Sequence, residues 1–333
     1  MAVAAPPLTR SQRTRKIMEM LQIRSEHSTV IPMRFSQSQE LLWAKVAPKI
    51  DAGEKLWFIC LKGRQLYCST FFQALMFVRT ISEPNTQSLV LAQDLFSSHV
   101  LFDMAKRFYD HFPMPKMRAA SQQELSFPFP GGESRYRVIS AGKAAKGRGA
   151  NFACVHASEC AFYERSDVML GLAQTLPDLP HTMWVLESTA NGKRGDGEYF
   201  YNEWQNAIAG ESDLTPIFIP WYVLAKYRRK PGVPQDDWTR KERLLAASFG
   251  LDGEQLAWRR AYVKSKCMGD EVKFDQEYPV TPEVAFIATG TPAFSSDAIL
   301  EHRVTVREPV ERGYLRTRDG KRAYVSNSGN GTV

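Results

Sequence analysis

The residues with the clearest capacity for chemistry lie in one stretch, Lys55 to Thr70, KLWFICLKGRQLYCST. An apolar run from Leu56 to Leu61 ends in Lys62, Gly63, Arg64 and Gln65; Ser69 and Thr70 then precede a second apolar run, Phe71 to Ile81. The pattern is strand, loop, helix. Such a junction can hold a phosphate, because backbone N–H groups and the helix N-terminus point at the anion while cationic side chains neutralise it. Lys62 and Arg64 are the cations, and Ser69 and Thr70 supply hydroxyls. The loop is not GxxxxGK[ST], and an ordinary basic turn between strand and helix fits the same residues.

Two later strand ends carry acids. FACVHA (152–157) leads through Ser158 into Glu159, and TMWVL (182–186) leads into Glu187 with Ser188, Thr189 and Asn191 behind it. In open α/β sheets ligands collect at the carboxyl ends of strands. A nucleoside triphosphatase needs these parts: a phosphate cradle, a hydroxyl for magnesium, a carboxylate to position water, and a cation for the developing charge. One apolar strand ending in a carboxylate is commonly plain surface; the ordered set is more specific.

The elements around these residues follow from pattern. Ser36 can cap a helix starting at Gln37, with Gln39 in its first turn, Leu41, Leu42 and Val46 on one face, and Pro48 as its end. After the loop and its helix come a strand at 88–93, a helix at 95–112 closed by Pro113 and Pro115, and a hairpin of 124–129 with 136–140 around Gly131 and Gly132. A basic loop, AGKAAKGRGA (141–150), carries Lys143, Lys146 and Arg148. Strands at 151–157 and 181–186 and a helix at 198–209 complete a β-α-β-α order, which predicts an α/β fold with a mostly parallel sheet flanked by helices. Beyond Gly210 a strand-like run (217–221) leads to Lys226, Arg228, Arg229 and Lys230; 238–266 is helical in pattern, broken near 250–253, and 273–294 reads as irregular. The expected division is a basic arm (1–30), which is either a nucleic-acid arm or a solvated helix face, a core (31–215), a small mainly helical second subdomain (216–300) and a tail (301–333) holding a possible hairpin.

Bulk properties narrow the classes. The 333 residues give ample core for about two domains. A net charge of +7 favours a polyanionic partner such as nucleic acid. Five cysteines without CxxC spacing read as reduced, mostly buried thiols in a cytosolic protein, not a disulfide frame or zinc site. No apolar run approaches 18 residues, so a membrane-spanning or secreted protein is not expected.

Several pieces together resemble the ATPase domain of the large terminase subunits, the DNA-packaging motors of tailed bacteriophages: KGRQLYCST (62–70), VHASECAFY (155–163), LESTANG (186–192) with YFYNEW (199–204), FIPWY (218–222) and EYPVTPEVAF (277–286). The likeness covers roughly residues 30–300 and keeps the family's order. It implies an ASCE-type P-loop NTPase fold with ATP and Mg²⁺ as ligands. The loop resembles the family's variant Walker A, so Lys62, Gly63, Arg64, Gln65, Ser69 and Thr70 would bind nucleotide, with Ser69, or Thr70 as its rival, on magnesium. VHASE resembles Walker B: Glu159 would orient the attacking water and approach the metal through water, while Ser158 stands where many P-loop enzymes have aspartate. LESTANG resembles the coupling motif, formed by Glu187, Ser188, Thr189 and Asn191, in which Ser188, Thr189 and Asn191 would sense the γ-phosphate. Gln39 resembles the adenine-contacting glutamine. Arg148 is the candidate arginine finger, acting on a neighbouring subunit's nucleotide, with a DNA-contacting or structural role as the alternative.

The resemblance further implies double-stranded DNA gripped without sequence specificity, with Lys143, Lys146, Arg228, Arg229 and Lys230 as candidate contacts. Implied too are a portal or procapsid, a small terminase subunit, a homo-oligomeric ring and a location in the host cytoplasm. Two departures stand out. Tyr67 and Cys68 occupy the places of the family's usual glycine and lysine, and the residues after Phe294 are too few for the family's nuclease domain, so nuclease activity is not expected. The alternatives are a helicase-like DNA-dependent ATPase and a catalytically silent assembly module.

Overall fold

A computed structural model describes residues 7–113, 123–144, 151–164 and 167–287, Ala298 and His302, and two late strands. In chain order the first elements are α1 (Arg10–Met20), the hairpin β1 (Gln22–Arg24) and β2 (Val30–Pro32), α2 (Gln37–Ala52), β3 (Leu56–Lys62), α3 (Cys68–Ser82), β4 (Gln87–Ala92) and α4 (Leu95–His111). Then come β5 (Glu124–Phe129), β6 (Gly132–Ser140), the single turn α5 (Ala141–Ala144), β7 (Cys154–Ser158), α6 (Asp167–Ala173), β8 (Met183–Ser188), α7 (Glu198–Ala209) and β9 (Thr215–Ile219). The second subdomain holds α8 (Arg240–Phe249), α9 (Gly253–Lys266), α10 (Glu271–Glu277) and α11 (Pro282–Ile287), followed by the paired strands β10 (Gly313–Arg318) and β11 (Lys321–Ser326).

Seven strands form one sheet in the order β5-β6-β4-β7-β8-β3-β9. Every neighbouring pair is parallel except β5 with β6. The chain is thus an α/β protein of the expected class. Both faces of the central strands are buried, which explains their near-continuous apolar runs. Phe58, Cys60, Val90, Cys154 and Val185 pack on the side of α3, whereas Ile59, Leu61, Leu89, Val155 and Leu186 pack on the side of α7. α3 is buried nearly all round, from Phe71 to Val78, because it lies under α1, α2 and α4 as well as on the sheet. The basic segment at 10–24 is no free arm: Met18 and Leu21 are fully buried in the same core.

Three expectations need correction. α2 passes through Pro48 and stops at Gly53, whose φ of +73° suits glycine. An interior proline forfeits one helix bond at a cost of about 3 kcal/mol. Here the last turn is anchored from outside, since Asp51 accepts from the Ser11 N–H at 2.8 Å and the Ser11 hydroxyl at 2.7 Å. On the same helix Leu41 is exposed, and the buried side is Ser38, Gln39, Leu42, Trp43 and Val46. Finally, the described part of the region expected to be irregular, 273–287, is largely helical, with Asp270 capping α10 through the Val272 and Lys273 N–H groups; residues 288–294 lie outside the described residues.

β9 pairs with β3 from Phe58 opposite Thr215 to Lys62 opposite Ile219. The core sheet therefore extends to Ile219, past the expected division at 215/216. Beyond it an aromatic cluster holds the second subdomain together: Trp221 stacks on Trp258 at 5.0 Å between ring centroids, Tyr227 lies 4.6 Å from Trp258, and Phe274 stacks on Tyr278 at 5.3 Å. Such pairs contribute about 0.5–1.5 kcal/mol each beyond the area they bury.

Candidate active site

The loop between β3 and α3 is held from outside on nearly every residue. Its carbonyls are taken by side chains: Tyr227 Oη donates to Arg64 O at 2.9 Å and Gln65 O at 3.2 Å, Ser38 Oγ to Leu66 O at 2.6 Å, and Gln39 Nε2 to Tyr67 O at 3.1 Å. Two of its N–H groups are also committed, Gly63 to Ile219 O at 3.0 Å and Arg64 to Glu277 O at 2.8 Å. Tyr67 sits at φ 60°, in the left-handed region that glycine adopts without strain. Its ring leaves the loop and reaches the second subdomain, where its hydroxyl lies 2.9 Å from Lys226 Nζ and donates to Glu26 at 2.5 Å. The obstruction a side chain threatens at this position is avoided. α3 then begins with no side-chain cap on its N-terminus, so its first-turn N–H groups are open to an anion.

The strand order brings the charged side chains together. β8 lies between β3 and β7, with Glu187 opposite Cys60 on one side and Ser158 on the other. Side chains alternate along a strand. Cys60 and Lys62 on β3, His156 and Ser158 on β7, and Glu187 on β8 therefore share the sheet face that α3 covers. Lys62 Nζ is 2.5 Å from Glu159 Oε1 and 3.3 Å from Glu187 Oε1. Ser69 Oγ donates to Glu187 Oε1 at 2.9 Å. The other oxygen of Glu187 faces His156 Nε2 at 3.0 Å and the Ser158 hydroxyl at 3.4 Å. Glu159, at φ 56°, accepts from the Thr189 N–H at 3.2 Å and the Ser188 hydroxyl at 3.4 Å. A cavity of about 280 Å³ beside Glu159, Ser69 and Ser158, walled by Phe96 and Val100, gives this cluster an opening.

Burial decides the electrostatics, because Glu187 is wholly enclosed. Burial alone would raise its pKa; the Lys62 ammonium, the His156 hydrogen bond and the Ser69 hydroxyl outweigh it and hold the carboxyl below the ordinary carboxylate range. Burial works against the Lys62 charge as well, and the two carboxylates more than compensate, raising its pKa above the ordinary lysine value. One ammonium and two carboxylates leave the cluster one negative charge. A polyphosphate would be repelled by that charge unless a divalent cation came with it.

Other expected site residues fall as follows. Thr70 is half-buried in the first turn of α3, and Gln65, at φ 55°, is exposed on the loop. The Arg64 guanidinium turns away from the cluster to Glu277, at 3.4 Å. The Gln39 amide closes a capping box with Ser36 and fixes the loop through Tyr67 O, so it is fully engaged where it stands. Asn191 Nδ2 donates to Ala161 O at 3.0 Å, and its own carbonyl would lie 2.1 Å from a Cβ added at Gly197, so only glycine lets α7 start against this segment. Arg148 and Lys146 lie outside the described residues. Lys143 is exposed, Arg228 pairs with Asp252 and Glu254, Lys230 lies 3.8 Å from Glu254, and the Arg229 N–H donates to Glu254 O. His156, though part of the VHASE segment, had no role assigned from the sequence, and neither had Tyr227. Strand alternation was the available signal for His156, which is two residues before Ser158; Tyr227 had none.

No family model matches the sequence, and no curated protein matches it. Among solved structures, the large terminase of bacteriophage HK97 is similar with a TM-score of 0.53 at 14% identity, over 82% of this chain and 55% of that one. The large terminase ATPase domain of Thermus phage P74-26 gives 0.49 at 15% identity, over 82% and 98%. A large terminase from another thermophilic bacteriophage, in complex with ATP-γ-S, gives 0.45 at 12%, over 64% and 49%. The HK97 likeness is one of fold: the chain shares its α/β fold with part of that large terminase and spans about half the length of that protein.

Proposed function

We propose that this chain is a magnesium-dependent ATPase that drives double-stranded DNA into a viral procapsid. One observation carries the reading: Lys62, Ser69, Glu159 and Glu187 converge at the carboxyl edge of a parallel sheet, beside the uncapped N-terminus of α3. Phosphates would lie along the loop 62–70 and against that helix end, with Gly63, Gln65, Ser69 and Thr70 beside them; Arg64 and Gln39 would first have to leave Glu277 and Tyr67 O to reach a nucleotide.

The donor set fits magnesium. Among the described residues no three His, Cys, Asp or Glu side chains form a metal cage, and Mg²⁺ characteristically takes one or two protein oxygens, its remaining positions filled by waters and substrate phosphates. Ser69 is the protein ligand, and a bound ion would neutralise the charge of the triphosphate. Glu159, partly exposed at the mouth of the cavity, orients water for attack on the γ-phosphate. Lys62 holds Glu159 in place in the resting arrangement. Arg148 of a neighbouring copy supplies the transition-state cation in an assembled ring.

Ser188, Thr189 and Asn191 relay the state of the site. The first two touch Glu159 on one side, and on the other Gln276 of the second subdomain donates to Ala190 O at 3.3 Å. Exposed Lys143, Arg229 and Lys230 hold DNA through its phosphates, together with Lys146 of the basic loop. A portal and a small subunit complete the machine in the host cytoplasm. The test is DNA-stimulated ATP turnover together with uptake of duplex DNA into procapsids. The motor reading requires both, a helicase-like enzyme would separate strands without procapsids, and an assembly module would do neither.

A further inference from the structure

We infer that Glu187 supplies the carboxylate that orders the magnesium shell, taking over from the neighbouring strand the task that position 158 cannot perform. The inference rests on the ATPase reading above and goes beyond it, since resemblance places Glu187 only in the coupling segment.

P-loop ATPases commonly pair the metal-binding hydroxyl of the loop with an aspartate at the end of the adjacent acidic strand. Here that position is Ser158, a neutral side chain that cannot balance a divalent cation. The strand order puts another carboxylate within reach. β8 is inserted between β3 and β7, and Glu187 stands in register with Ser158. A glutamate is one methylene longer than an aspartate, and the reach is sufficient: its Oε1 accepts from Ser69 at 2.9 Å. Its second oxygen is anchored by His156 and Ser158 at 3.0 and 3.4 Å, which fixes the carboxylate plane. The side chain is fully buried, yet it is aimed at the one loop hydroxyl that a metal needs. His156 is buried with its other ring nitrogen unpartnered, so its single bond is spent on orienting Glu187.

Position 187 is thus part of the metal's outer shell, with His156 as its positioning residue. Ser188, Thr189 and Asn191 remain the relay. A purely structural role is the rival, in which Glu187 only neutralises buried Lys62.

The experiment measures ATP affinity in the presence of Mg²⁺ and in EDTA, using the full chain, for the unaltered protein, Glu187→Gln and the swap Ser158→Asp with Glu187→Gln. The unaltered protein is expected to bind more tightly with Mg²⁺. Glu187→Gln is expected to lose that advantage by about tenfold or more, the usual cost of removing an outer-shell carboxylate, while its affinity in EDTA does not fall, since the cluster loses the charge that repels a metal-free polyphosphate. The swap returns a carboxylate to the adjacent strand and is expected to regain the advantage. If Glu187→Gln keeps the full Mg²⁺ advantage, or loses affinity equally in both buffers, the inference fails while the ATPase reading stands. If the unaltered protein binds no ATP in either buffer, the ATPase reading itself fails. Should Glu187→Gln not fold, Glu187→Asp decides: it keeps the charge beside Lys62 but shortens the reach to Ser69, so loss of the Mg²⁺ advantage supports the assignment and its full retention overturns it.

Discussion

Lys226 stands over Tyr67, its Nζ 4.5 Å from the ring centroid and 2.9 Å from the hydroxyl, and both side chains meet at Glu26. A residue of the loop between β3 and α3 is thereby tied to the second subdomain and to the turn between β1 and β2. The tyrosine that stands in the place of a glycine turns its ring out of the loop and braces it from outside.

Tyr67→Gly is expected to leave ATP affinity within about threefold, because the ring does not line the cradle and a threefold change is only about 0.7 kcal/mol. The same change relieves a left-handed backbone but removes the bonds to Glu26 and Lys226. Tyr67→Phe isolates the second effect: it keeps the ring and loses the hydroxyl, and is expected to cost about 0.5–1.5 kcal/mol in chemical denaturation. A large loss of ATP affinity in both variants would mean that the ring belongs to the site.

Acid should weaken the fold through two carboxylates. Glu187 and Glu271 are both held below the ordinary carboxylate range, Glu271 at about 2: burial opposes this in each, and Lys62 and His156 in one case, Arg259 and Lys241 in the other, overcome it. A lowered folded pKa contributes stability that is complete above the unfolded value and is lost as pH falls from about 4.5 toward about 2. The urea midpoint is expected to drop across that window. Glu271→Gln is expected to lower the midpoint at pH 7 and flatten the acid slope; an unchanged slope would show that its pairs with Arg259 and Lys241 do not favour ionisation.

Much of this was legible beforehand. The helix expected at 198–209 is α7, residue for residue, because its apolar spacing and the glycine at 210 are local signals. The acidic strand ends were legible for the same reason. What could not be read was which strands are neighbours. The insertion of β8 between β3 and β7 is a non-local pairing, and it alone turns Glu187 from the head of a coupling segment into the partner of Lys62 and Ser69. The direction of Tyr67 is likewise set by residues far along the chain, Glu26 and Lys226. Pro48 misled because local propensity was overridden by the anchoring of Asp51 on α1.

DNA binding should separate the basic residues by their partners. Lys143 and Lys230 are exposed, whereas Arg228 is held by Asp252 and Glu254. Lys143→Ala and Lys230→Ala are each expected to lower the salt slope of non-specific duplex binding by about 1 and to spare stability. Arg228→Ala is expected to do the reverse, lowering the thermal midpoint with little change of slope.

Arg148 should act between subunits. In assembled protein Arg148→Ala is expected to cut turnover by about 10³-fold or more, the scale of a missing arginine finger, with ATP affinity retained. Mixing Arg148→Ala with Glu159→Gln protomers should restore part of the turnover, since an intact Glu159 can then face a neighbour's intact Arg148. No recovery on mixing would remove the trans assignment.

The central claim is that Glu159 activates water for ATP hydrolysis at this site. The most direct measurement is ATP turnover with Mg²⁺ by the unaltered protein and by Glu159→Gln, paired with nucleotide binding for each. The account predicts turnover that needs Mg²⁺ and falls by about 10²-fold or more in Glu159→Gln, with binding preserved. Turnover undiminished in Glu159→Gln, or a folded unaltered protein that neither binds nor hydrolyses ATP, would contradict it.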